Sequence, residues 1–140
     1  MQTDRKKMRM VFFEAWRKYQ AKQNLEPLEK QIATIILQHP EYHFILDNSE
    51  KYLDQDYFPS LGDTNPFLHL SLHLSVLEQV NTNRPAGIQR IYYELIKKYG
   101  DNKAAEHQIM ELIAQNLWEA QQSGKMISDE VYLEQLKKLL

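Results

Sequence analysis

Four glycines and five prolines are all that punctuate 140 residues, and they fall between runs of apolar side chains that recur with a period of 3.6. No segment alternates apolar and polar residues between hairpin turn signals. Start signals precede the periodic runs and stop signals follow them, so the chain is restricted to helices. The expectation is an all-α fold: one domain over residues 1–140, a helical bundle of about six or seven helices.

The boundaries follow from local chemistry. The first helix runs from about Thr3 to Gln23, with Met8, Phe12, Ala15, Trp16 and Tyr19 on one face. Pro27 suits a first helical turn and opens a second helix to Gln38, with Leu28, Ile32, Ile35 and Ile36 inward. Pro40 starts a third, reaching about Gln55, and a loop with Pro59 and Gly62 follows from Asp56 to Thr64. Asn65-Pro66 caps and opens a fourth helix that ends near Asn81. A fifth spans about Ala86 to Tyr99 and stops at Gly100. Asp101 caps a sixth, which stops at Gly124, and Ser128 caps a short last helix.

Composition narrows the function. The net charge is -2 and the pI about 6.2, so no overall excess draws the chain to nucleic acid or an anionic membrane. A basic cluster at Arg5, Lys6, Lys7 and Arg9 reads as the solvated face of the first helix, with a phosphate-binding arm as its alternative. No cysteine is present, which removes thiolate metal sites, iron–sulfur clusters and cysteine nucleophiles. No apolar run reaches membrane-spanning length, and no glycine-rich loop is there to cradle a nucleotide phosphate. The expectation is a cytoplasmic protein with no membrane association and no nucleotide cofactor.

The stretch from Asn65 to Gln79, NPFLHLSLHLSVLEQ, carries the chemistry. At about 100° of rotation per residue, His69, His73, Val76 and Val80 form one stripe. Ser71, Ser75, Glu78 and Gln79 fall on the far side, so Glu78 is expected to be exposed and neither serine can pair with a histidine as a nucleophile. Two imidazoles one turn apart reach one ion. On the sixth helix His107, Glu111, Ala114 and Trp118 form a second stripe beside Met110, Ile113 and Leu117. The two pairs together offer three nitrogens and a carboxylate, a set that suits zinc, iron, manganese or nickel in a bundle. His43 shares a stripe with Asp47, Glu50 and Asp54, either a solvated face or a third wall that adds His43 as a fifth ligand. His39 precedes Pro40 and so makes no one-turn pair with His43.

The segments FFEAWRKY, PLEKQIATIILQHPEYH, TNPFLHLSLHLSVLEQV, RPAGI and LIAQNLWEAQQSG resemble a family of small bacterial proteins known only as a domain of unknown function. N-P-F-L-H-L-S-x-H-L is the most specific part of the likeness, which covers nearly the whole chain. It implies a stand-alone cytoplasmic helical protein and no particular activity. A looser similarity is to hemerythrin-like metal-dependent helical bundles, but the order of the H-x-x-x-H and H-x-x-x-E motifs departs from theirs.

The functional expectation is one divalent transition metal held by His69, His73, His107 and Glu111, with His43 beside them. An open coordination position would add metal-activated water and hydrolysis. The alternative is a metal-free interaction module, its histidines structural, that meets a protein partner or another copy of itself through an exposed apolar patch. Whether the chain is an enzyme stays open between these two.

Overall fold

The computed structural model describes residues 2–58 and 61–140, with side chains from residue 4 onward; Pro59 of the expected loop lies outside them. The elements are α1 (Gln2–Gln20), α2 (Pro27–Leu37), a 3-10 turn (Pro40–Tyr42), α3 (His43–Leu46), α4 (Ser49–Tyr52), α5 (Pro66–Thr82), α6 (Ile88–Tyr99), α7 (Asn102–Ser123) and α8 (Asp129–Lys138). No strand occurs among the described residues, so the fold is all-α.

Among the described residues eight helices replace six or seven, because the expected third helix is broken. Pro40 brings no amide hydrogen to a helix and starts only a 3-10 turn. Asn48 then leaves helical geometry, at φ -129° and ψ 64°, while its side-chain amide donates to the Phe44 carbonyl at 2.7 Å. That side chain competes with the backbone for the carbonyl and separates α3 from α4.

The remaining signals form the caps expected of them. Asn65 Oδ1 accepts from the amides of Phe67 and Leu68 at 3.0 and 3.2 Å. Asp101 accepts from the Ala104 amide at the start of α7, and Ser128 from that of Val131 in α8. Gly100 and Gly124 end α6 and α7 in the left-handed region, at φ 92° and 76°.

Contacts divide the chain into two compact units, Met1–Leu74 and Ser75–Leu140. In the first, α1 lies against α2 and α3. Its core holds Phe12, Phe13 and Trp16 from α1, Ile32, Ile35 and Ile36 from α2, and Phe67 and Leu70 from α5. The Phe67 ring centroid is 5.5 Å from that of Phe13.

Phe12, Ala15 and Trp16 of the face expected for α1 are buried, but that face takes in Arg9 and Phe13 in place of Met8 and Tyr19. Met8 and Tyr19 are exposed, whereas Arg9 is only 2% exposed. Its Nη1 donates to the carbonyls of Leu53 and Gln55 at 2.9 and 2.8 Å, and its guanidinium carbon stands 4.6 Å from the Phe67 ring centroid. Arg5 donates to Asp56 at 2.7 Å. The basic cluster therefore ties down the backbone after α4 instead of forming only a solvated face.

In the second unit α6, α7 and α8 pack against one another. Ile88, Ile91 and Leu95 of α6 meet Ala105, Ile109 and Met110 of α7 and Leu136 of α8 in its core. Asn116 and Gln135 exchange amide hydrogen bonds at 2.8 and 3.2 Å, linking α7 to α8. Tyr132 donates to Gln79 Oε1 at 2.7 Å. Among the described residues no helix is long and apolar enough to cross a membrane.

Candidate functional site

Of the four histidines in the first unit, three come together. His39 is 1% exposed and His73 is fully buried. His39 Nε2 stands 3.1 Å from His73 Nδ1, and His39 Nδ1 stands 3.0 Å from Glu41 Oε2. His69 is half-buried and sets its ring edge-on to His39, with centroids 4.9 Å apart. Tyr42 stacks on His39 at 5.5 Å and stands edge-on to His69 at 5.8 Å. Burial, with Glu41 adding to it, raises the Tyr42 pKa, so its phenol stays protonated near neutral pH.

Local structure places each group. His73 lies on the inward stripe of α5 with Val76 and Val80, and Glu78 is exposed on the opposite face, as the helical phase predicts. His39 arrives differently. The residue before a proline is driven out of the helical region, and His39 adopts φ -124° and ψ 66°. That bend takes the chain off the end of α2 and carries His39 to His73.

Proton positions follow from the partners. An ionised Glu41 only accepts, so His39 Nδ1–H donates to it and His39 Nε2 is left with a lone pair. His73 Nδ1–H then donates to His39 Nε2. The chain Glu41–His39–His73 is thus a carboxylate that orients one imidazole toward another.

His43 is held elsewhere in the same unit. Its Nε2–H donates to the Ile36 carbonyl at 2.8 Å, and its ring centroid lies 4.6 Å from that of Trp16. Trp16 Nε1–H in turn donates to Asp47 at 2.8 Å. Asp47 thereby anchors the tryptophan.

His107 and Glu111 belong to the second unit. His107 Nδ1–H donates to the Lys103 carbonyl one turn earlier on α7, at 2.8 Å. Glu111 is exposed, and Trp118 on the same stripe is 58% exposed. The buried face of α7 instead follows Ala105, Glu106, Ile109, Met110 and Asn116. Glu106 is 4% exposed and accepts from the Tyr92 hydroxyl at 2.6 Å. Burial and that hydrogen bond raise the Tyr92 pKa well above the ordinary tyrosine range. Among the described residues, no three of His, Asp and Glu form a group able to hold a metal ion.

Among the buried polar residues, Glu106, His39 and Asn116 were not picked out by pattern. Glu106 shares a helical face with Ile109 and Met110, and that i, i+3, i+4 spacing is its signal. His39 has a fainter one, the His-Pro-Glu order that places a carboxylate two residues beyond a redirected imidazole.

No curated protein and no solved structure matches this chain. A family model described as a domain of unknown function, DUF1841, matches residues 4–138. That span takes in the capped helices of both units and all the histidines described above, and the chain belongs to the DUF1841 family.

Proposed function

We propose that the buried pair His39–His73 binds a divalent transition metal ion, with His69 flanking it. The 3.1 Å between His39 Nε2 and His73 Nδ1 carries the reading. Two nitrogens at 2.0–2.1 Å from one ion, as adjacent ligands, stand roughly 2.9–3.4 Å apart. Glu41 on the far nitrogen of His39 supports it, because a carboxylate there fixes the tautomer that turns the other nitrogen's lone pair to a metal. For both rings to face the ion, His73 would carry its proton on Nε2, leaving the Nδ1 lone pair beside that of His39 Nε2.

The proposal asks nothing of His43, His107 or Glu111. It takes two imidazoles as protein ligands and leaves other coordination positions open, where a bound water would be acidified and hydrolysis is the simplest chemistry. Zinc, iron, manganese and nickel all accept imidazole, so softness alone selects none of them. We read the setting as the bacterial cytoplasm that the family resemblance implies.

A second reading starts from the same pair. Both nitrogens of His39 already have hydrogen-bond partners, as a permanently metal-free network requires. The histidines then specify the packing, and the exposed apolar side chains Leu117 and Trp118 would meet a partner. Titration of metal-stripped, tag-free protein with cobalt separates the two readings. The metal reading expects a saturable visible absorption band that is lost in His39→Ala and His73→Ala. The network reading expects no band and no metal retained through purification.

A further inference from the structure

The second unit contains a cavity of about 250 Å³ between the start of α8, the middle of α7 and the turn that follows α5. Ile113 and Leu117 of α7 and Ile127 ahead of α8 give it an apolar lining, joined by the buried Tyr132, which is held by its bond to Gln79. Two charged side chains also line it: Arg84 on the turn after α5 and Asp129 at the first position of α8. Neither forms an ion pair or a side-chain hydrogen bond with any described residue, including the other. Glu78 borders a separate polar hollow beside Arg84 and is not paired with it either.

We propose that this cavity binds a free α-amino acid with an apolar side chain, its carboxylate on Arg84 and its ammonium group toward Asp129. Size sets the class. An apolar cavity of 150 Å³ accepts benzene, so this one takes roughly ten non-hydrogen atoms, the scale of leucine to phenylalanine. Charge sets the chemistry. A guanidinium fork matches a carboxylate in geometry as well as sign. A simple carboxylic acid would satisfy Arg84 and meet Asp129 unfavourably; a simple amine would do the reverse. A zwitterion answers both, and the side chain covers Ile113, Leu117 and Ile127. The cavity is distinct from the histidine cluster and does not depend on metal.

Calorimetric titration of the full chain with L-phenylalanine and L-leucine tests this. Saturable binding is expected, weaker by about tenfold or more for phenethylamine and 3-phenylpropionate, each of which lacks one charge. Arg84 and Asp129 are both exposed, so Arg84→Gln and Asp129→Asn should fold normally and lose affinity by a similar factor. Ile113→Trp should abolish binding by filling the space. The proposal is overturned if no saturable binding appears at millimolar amino acid. It is equally overturned if the two single-charge analogues bind as tightly as phenylalanine, or if both charge variants bind unchanged.

Discussion

Burial separates side chains that look alike in the sequence. Arg9 and Lys7 both belong to the basic opening of the chain, but Lys7 is exposed whereas Arg9 holds two backbone carbonyls from within the protein. Arg9→Met should therefore destabilise the fold by about 2–3 kcal/mol, since hydrogen bonds to a charged group are lost and buried acceptors remain. Lys7→Ala should stay within about 0.5 kcal/mol. Urea unfolding checks both, and equal effects would remove the structural role given to Arg9. The same contrast holds on α5. His73→Ala should cost about 1–3 kcal/mol, and Glu78→Ala much less. The phase of α5 was legible because a run of apolar residues surrounds the two histidines. His39 was not, because its direction depends on a proline that breaks the periodicity used to read everything else.

At the scale of elements, caps were the most legible features and interior faces the least. A cap is local: Asp101 and Ser128 bond amides three residues away, so short sequence windows contain the whole interaction. A buried face is set by the helices that cover it. On α7 the face of Glu111 and the face of Glu106 lie about 140° apart around the helix, and α6 supplies Tyr92 to the second. The third expected helix failed for a related reason, since the side chain of Asn48 competes for a carbonyl that helical periodicity assigns to the backbone. Asp101→Ala should cost about 1 kcal/mol through loss of the α7 cap. Glu111→Ala, on the exposed face, should change stability by less than about 0.5 kcal/mol. Thermal melts of the two variants rank these effects; a larger loss at Glu111 would show that the α7 face has been misplaced.

For the whole molecule, two tyrosines link stability to alkaline pH. Burial raises the pKa of Tyr92 and Tyr132 above the tyrosine value of about 10, with Glu106 adding to the shift at Tyr92. The folded chain thus keeps two protons that the unfolded chain releases above that value. Their contribution is complete below about pH 10 and is lost as pH rises beyond it. Urea midpoints should fall above that pH in the natural protein and fall less steeply in the Tyr92→Phe, Tyr132→Phe double variant. An identical decline in both would contradict the linkage. The histidine pair makes a different demand on the intact chain, for it has to hold an ion and not only a proton. The most direct measurement is the metal content of tag-free protein after dialysis against each of zinc, iron(II), manganese and nickel, set beside His39→Ala and His73→Ala. The account predicts close to one equivalent of at least one metal in the natural chain and a sharp loss in both variants. No retained metal, or equal retention in all three proteins, would contradict it.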